Sequence, residues 1–357
     1  MQTEEISKWR QFIAKSFEDE KIQSSLMSYV EKLHAAKSVI IFETEHLAKL
    51  LGIKNRVLQR MINNPQSFYY KFSIPKKSGG KREICAPYPI LLMAQHWINE
   101  HLLSRQPIHP AATGFIKGKS IKDNASAHLN SKNILKLDLE NFFPSIPIKR
   151  VIAIFLGMGY TPKISYSLAS LCCLNGVLPQ GAPTSPALCN IIAKRLDYRI
   201  NGFAQKNCLK YTRYADDIIL SGDDVNAKTL SFLRKIIVTE GFTIKEEKTR
   251  FFKEYGQRIV TGLSISSPKI TIPKEKRRAL RQELHYIKKY GLRNHLEHVN
   301  INDVIYGYRI SGYLQFWRSI EPDNEFVLQS IAFMQKKMVI KKSDSTTYDE
   351  SSQGSLL

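Results

Sequence analysis

The sequence predicts an α+β fold in which antiparallel strand pairs sit among a larger number of helices. Three observations predict it. Runs of β-branched and aromatic residues come in pairs around short polar or glycine centres, as hairpins require. These are YYKFSIPKKSGGKREICAP (69–87), LKYTRYADDIILS (209–221) and FFKEYGQRIVTGLSI (251–265). Elsewhere, long stretches repeat apolar residues every three to four positions, the helical period. At 357 residues, 43% of them hydrophobic, the chain can bury a sizeable core and divide into two or three subdomains.

In order, residues 4–37 form one or two amphipathic helices with Trp9, Phe12, Ile13 and Phe17 on one face. Residues 44–63 read as two short helices broken near Gly52, a helix-turn-helix-like pair that suits either plain packing or a nucleic-acid groove. The hairpin 69–87 turns at Ser78-Gly79-Gly80 and gathers Lys76, Lys77, Lys81 and Arg82 at its tip, which can clamp a triphosphate or stay solvated. A helix from Pro89 to Leu103 directs Leu92, Trp97 and Ile98 inward. Residues 113–133 are loop and then short helix. They carry Lys117, Lys119 and Lys122 as candidate phosphate contacts, and a lone His128 that also suits a structural role.

Ile134 to Phe143 reads as a buried strand with one acid, Asp138, among Leu135, Leu137 and Leu139. A carboxylate there is expensive to bury unpaired, which makes it a functional candidate. Pro147 opens a helix that ends at Gly157-Met158-Gly159, and another covers about 162–174. VLPQGAPTSPALCN (177–190) is a stiff turn, with Ser185 expected to cap a helix that begins at Pro186 and ends near Ile200. Such a turn and helix start suit contact with a nucleotide or template. After the 209–221 hairpin, Val225–Glu240 is helical with Leu230, Leu233, Ile236 and Ile237 inward. Gly241–Arg250 is expected as a strand running into a charged turn at Lys248, and 251–265 as a hairpin turning near Gly256.

From Pro273 the pattern becomes helical. Leu280, Leu284 and Ile287 share one face; Lys274, Arg277, Arg278, Arg281, His285 and Lys288 share the next. A basic stripe beside an apolar one suits a helix docked on one side and open to phosphate on the other, though a merely solvated face has the same pattern. Helices at about 301–318 and 323–340 carry Tyr306, Tyr308, Tyr313, Phe316 and Trp317, mostly toward the core, and the polar stretch 341–357 predicts a disordered tail.

The net charge of +21 attracts polyanions, nucleic acid first and an acidic membrane surface second. No apolar run is long enough to cross a bilayer and MQTEEISKWR is not a signal peptide, so a cytoplasmic protein is expected. Five cysteines without CxxC spacing indicate neither a disulfide framework nor a zinc site, and buried free thiols are expected. The chemistry centres on Ala215-Asp216-Asp217 at a hairpin tip. Adjacent carboxylates held rigidly repel unless a cation neutralises them, and hard oxygen donors suit Mg2+. A solvated turn can also carry an Asp pair; the acidic strand at Asp138 upstream favours the metal.

Asp138 on its strand, the PQG turn, the YADD hairpin, the Lys248 turn and the VTG stretch, in that order over about residues 69–320, together resemble the palm of reverse transcriptases. NASAH (124–128) and Val260-Thr261-Gly262 resemble signatures of the retron branch. The resemblance implies a right-hand polymerase: an N-terminal helical region (1–68), fingers (69–133, with inserted helices near 160–176), a palm with an antiparallel sheet (134–265) and a helical thumb (266–340). It implies RNA-directed DNA synthesis with two Mg2+ held by Asp138, Asp216 and Asp217. Lys81 and Arg82 would grip the triphosphate of the deoxynucleotide. Gln180 would touch the nucleotide, and Phe143 would block a ribose 2′-OH, unless it is an ordinary buried ring. Lys248 would serve as an acid toward pyrophosphate. Asn124, His128, Val260, Thr261 and Gly262, with Lys274, Arg277, Arg278, Arg281 and Lys288, would bind RNA. The retron branch further implies a cognate structured non-coding RNA as template and primer, DNA synthesis from the 2′-OH of an internal guanosine, a branched RNA–DNA product, and an effector protein in defence against phage. The alternatives are a group II intron or phage-exclusion reverse transcriptase, or a non-catalytic RNA-binding protein on a polymerase scaffold.

Overall fold

The structure, a computed structural model, describes residues 2–76 and 79–343, with side chains from 4 to 336 of that range. By contacts the chain divides into two units, Met1–Ser120 with Asn133–Phe251, and Ile121–Lys132 with Phe252–Leu357.

In the first unit, β1 (Tyr69–Pro75) and β2 (Lys81–Pro87) form the expected antiparallel hairpin, Tyr69 opposite Pro87 and Pro75 opposite Lys81. Lys77 and Ser78 of its turn lie outside the described residues. A four-stranded sheet has the order β4-β5-β3-β6, from β3 (Asn133–Asp138), β4 (Lys210–Tyr214), β5 (Asp217–Gly222) and β6 (Arg250–Phe252). β3 and β5 are the inner strands, and β3 buries Leu135 and Leu137 on one face and Ile134 on the other, as a central strand demands. Helices Pro89–Ile98, Ile148–Gly157, Pro162–Cys172, Ser185–Ile192, Lys194–Lys206 and Ala227–Thr239 belong to the same unit. One continuous core runs from Ile13 through Phe155 and Leu188 to Ile244.

Several element boundaries differ from expectation. The strand at Asp138 stops there, and Phe143 lies in a following turn, because Asn141 adopts φ +46°. Ser185 is the first helical residue rather than the cap; its hydroxyl donates to the Pro179 carbonyl at 2.7 Å and so braces the turn. The helix expected to end near Ile200 is two helices meeting at Ala193, and the second passes through Gly202 to Lys206. Residues 241–250 form an isolated bridge between Ile244 and Leu139 and a 3-10 turn at Glu246–Lys248 rather than a full strand. Phe12 and Phe17 are largely exposed, Leu92 and Trp97 are half-buried, and Cys208 alone among the cysteines is exposed.

The second unit holds helices Ile121–Ser126, Lys274–Tyr290, Leu292–His298, Tyr306–Ile320 and Glu325–Ser343. β7 (Ile259–Val260) pairs with β8 (Leu263–Ser264), so the hairpin turns at Thr261-Gly262 and not near Gly256. Both tip residues have positive φ, +45° and +82°, the geometry a two-residue hairpin loop needs. Leu280, Leu284 and Ile287 are all buried, as the helical period predicts, and so are Ile310, Leu314 and Trp317 of the next long helix. Tyr308, Tyr313 and Phe316 are exposed instead of core. The last helix extends to Ser343, and the remainder of the expected tail lies outside the described residues.

Candidate active site

The sheet carries Asp138 as the last residue of β3, directly opposite Asp217, the first residue of β5. Cross-strand partners of this kind have Cα atoms about 4.5–5.5 Å apart, so the two carboxylates share one neighbourhood. Asp216 immediately precedes Asp217 in a two-residue tip, Ala215-Asp216, where Ala215 takes φ +56°. The tip is locked to β3 because the Leu139 N–H donates to the Asp216 carbonyl at 3.0 Å. Three acids from distant parts of the chain are thus brought to one end of the sheet by strand register.

Their electrostatics are those of a site short of positive charge. Burial, followed by the charges of Asp138 and Asp217, pushes the Asp216 carboxyl up to about 6. Burial also raises Asp217, offset by Lys136. Two ammonium groups already answer two of the acids: Lys248 Nζ lies 2.7 Å from Asp138 Oδ2, and Lys136 Nζ lies 2.9 Å from Asp217 Oδ2. Among the described residues no three His, Cys, Asp or Glu side chains converge as a metal cage. The donor set still fits Mg2+, which takes one or two carboxylates and completes its shell with water and substrate phosphate. It fits an ion that arrives with a triphosphate better than a resident structural one.

The other candidates in this unit are placed as follows. Gln180 is half-buried in the PQG turn, and its carbonyl accepts the Cys85 N–H of β2 at 2.8 Å. The contact is close because Gly181 (φ +128°) has no side chain; a Cβ there would meet the Cys85 carbonyl oxygen at 2.6 Å. The basic hairpin is therefore fastened to the turn. Lys81 and Arg82 are exposed at its turn end, where Pro75 pairs with Lys81. Phe143 is half-buried, its ring centroid 6.1 Å from that of Phe115.

Two features escaped sequence reading. Lys136 sits two residues before Asp138, hence on the same face of β3, and its place in an apolar strand was the available signal. Arg213, between Tyr211 and the tip on β4, is fully buried and paired with an equally buried Asp197.

In the second unit Asn124 and His128 are both fully buried. Asn124 Nδ2 donates to Thr261 Oγ1 at 3.5 Å, and Thr261 Oγ1 donates to the Ile121 carbonyl at 3.1 Å. The short helix thereby holds the Thr261-Gly262 tip, while Val260 packs inward. Lys274 and Arg278 are exposed, and with Arg277, Ser264, Ser266 and Thr271 they line a cavity of about 470 Å3. Arg281 lies 4.8 Å from the Phe326 ring centroid and Lys288 5.5 Å from it, so both are stacked on aromatic rings as well as exposed.

A family model described as reverse transcriptase (RNA-dependent DNA polymerase) matches residues 74–287. The chain is 38% identical over 257 residues to the retron Ec86 reverse transcriptase of Escherichia coli, covering 71% of this chain and 80% of that one. It is 37% identical over 265 residues to the retron Mx65 reverse transcriptase of Myxococcus xanthus, covering 68% of this chain and 62% of that one, so it spans less than two thirds of the second relative. Among solved structures, a Candida albicans telomerase in complex with a fragment of telomeric RNA aligns with a TM-score of 0.41 at 11% identity, over 79% of this chain and 65% of that chain. Among the described residues no helix is long and apolar enough to cross a membrane.

Proposed function

The chain belongs to the reverse transcriptases and, within them, to the retron type; from that premise we propose that Asp138, Asp216 and Asp217 are the residues at which its RNA-directed DNA synthesis takes place. The observation that carries the assignment is the register of Asp138 against Asp217 beside the Asp216 tip. Asp138 and Asp216 would hold two Mg2+, with Asp217 beside them. Divalent ions bound there supply a primer hydroxyl of lowered pKa and charge to neutralise the triphosphate.

The chain's own groups supply position. Lys81 and Arg82, on a hairpin fastened to the PQG turn, grip the triphosphate, Arg by its fork and Lys as a point charge. Gln180 and Phe143 bound the nucleotide, Phe143 on the side of the ribose 2′-position. Lys248, held at Asp138 by an ion pair of 2.7 Å, carries a proton that it can give to the departing pyrophosphate. In the second unit, Lys274, Arg277 and Arg278 around their cavity suit phosphates of the template RNA, with weaker contributions from Arg281 and Lys288. Asn124 acts from beneath, by bonding Thr261 at the Thr261-Gly262 tip.

The retron assignment implies a cognate structured RNA that serves as template and primer. It also implies a branched product begun at a guanosine 2′-OH and an effector protein acting in phage defence. Two measurements test this. Deoxynucleotide incorporation on an RNA template should vanish in Asp216→Asn and Asp138→Asn while RNA binding persists; persistence of synthesis would remove the assignment. Nucleic acid co-purifying with the protein should be a short RNA joined to DNA through a 2′,5′ linkage, and a long intron RNA or unlinked DNA in its place would exclude the retron reading.

A further inference from the structure

Arg213 and Asp197 form an ion pair with both side chains at 0% exposure. Arg213 Nε and Nη2 donate to the two Asp197 carboxylate oxygens at 2.8 and 2.7 Å, a bidentate fork. The Tyr211 hydroxyl donates to Asp197 Oδ1 at 2.6 Å. A buried pair of this kind gains little net stability, because stripping water from both ions offsets most of their attraction. What distinguishes this one is its remaining donor. Arg213 Nη1 donates to Asn190 Oδ1 at 3.0 Å and to the Ala215 carbonyl at 3.1 Å.

That carbonyl belongs to the peptide linking Ala215 to Asp216. Ala215 sits in the left-handed region, which a residue with a Cβ adopts only when its surroundings compel it. The surroundings do so from three sides. Arg213 holds the carbonyl. Asn190 Nδ2 donates to the Gly114 carbonyl at 2.9 Å. Gly114 in turn lies so close that a Cβ on it would stand 2.5 Å from Ala215 N. The backbone of Arg213 is pinned as well, its N–H to Ala111 and its carbonyl to Thr113, both at 2.8 Å.

We propose that Arg213, oriented by Asp197 and Asn190, is a positioning residue for the catalytic tip: it fixes the Ala215–Asp216 peptide plane and so the place from which the Asp216 carboxylate meets a divalent ion. The proposal rests on Asp216 being catalytic. Arg213→Lys keeps a charge opposite Asp197 but has no fork, so it cannot serve Asp197, Asn190 and Ala215 together. Asn190→Ala leaves the ion pair and removes one of its anchors.

The full-length protein is assayed on an RNA template with an annealed DNA primer. In Arg213→Lys, kcat per folded molecule should fall about 10- to 100-fold, the cost typical of small misplacements of reacting groups. The Mg2+ concentration for half-maximal rate should rise severalfold, while KM for deoxynucleotide and affinity for the primed template stay near wild type. Without substrates, Mg2+ should raise the melting temperature of the variant less than that of wild type. Should Arg213→Lys fail to fold, the same criteria apply to Asn190→Ala. A merely structural pair would lower the melting temperature and leave kcat per folded molecule and the Mg2+ response unchanged, and that result overturns the proposal. Asp216→Asn, run alongside, separates the two levels. If it retains synthesis, the catalytic assignment itself fails; if it is inactive while both other variants behave as wild type, only the positioning role fails.

Discussion

Replacing Asp216 by Asn should make the free protein more stable while it destroys synthesis. Burial and two neighbouring carboxylates raise the Asp216 carboxyl from 3.8 to about 6. A carboxyl whose folded pKa lies above its unfolded value costs the fold whenever it is ionised. The cost is absent below the unfolded value, grows as pH rises between the two, and is complete above the folded one. At 1.36 kcal/mol per pH unit, the full cost above pH 6 is about 3 kcal/mol, an upper figure because the half-buried tip is partly screened by water. Asn is nearly isosteric and uncharged, so it relieves that cost.

Chemical denaturation without divalent ions should therefore show Asp216→Asn more stable than wild type by about 1–3 kcal/mol near pH 7.5, and nearly equal to it near pH 4. Added Mg2+ should narrow the gap by stabilising wild type more, since an ion that binds only the folded state stabilises it by mass action. Equal or lower stability of the variant near pH 7.5, or a gain that persists unchanged near pH 4, would show that the three acids do not repel as their placement requires.

Other consequences follow from particular contacts. Gly114→Ala drives a Cβ onto backbone at Ala215, which cannot move as a flexible side chain would; denaturation should show a loss of about 1–3 kcal/mol, with reduced incorporation. Arg278→Ala, at an exposed cation beside the second unit's cavity, should leave stability unchanged and reduce the slope of log affinity for RNA against log salt by about 1. Arg281→Ala should instead cost about 0.5–1 kcal/mol of stability through its lost stacking on Trp317 and Phe326, with a smaller change in salt slope. Thr261→Val removes the bond to the Ile121 carbonyl. It should destabilise the second unit by about 1 kcal/mol and weaken binding of the cognate RNA, whereas loss of stability alone would leave the tip without a role in recognition.

Much of the architecture can be read from local pattern. The strand period and the glycine-rich or acidic centres of 69–87 and 209–221 specify hairpins, and the apolar spacing at Leu280, Leu284 and Ile287 specifies the buried face of a helix. These signals depend on residues a few positions apart, where backbone geometry alone sets which side chains share a face. The acids of the candidate site were legible for a related reason: a carboxylate among leucines, and two more in a tight turn, stand out against their neighbours. Boundaries were less legible. Residues 241–264 mix strand-forming side chains with charged ones at 245–248 and around Gly256, and either interruption could be the turn; Lys245 N–H bonds to the Asp138 carbonyl and Ile244 bridges Leu139, so part of that stretch is spent against β3 and the hairpin turns later, at Thr261-Gly262. Asn124 and His128 are recognition residues only by resemblance to the retron signature, and a lone His128 also suits a structural role; the structure buries both.

The amino-acid order by itself determined the class of fold, the succession of elements and the identity of the three carboxylates, since each depends on neighbours along the chain. Tertiary structure alone decided that Asp138 faces Asp217, that Lys248 and Lys136 stand against these acids, and that Arg213 reaches past Asp197 to the Ala215 carbonyl. Those pairings join residues from 2 to 110 positions apart. Strand register and the requirement that buried charge find a partner choose among many polar residues that composition leaves equivalent.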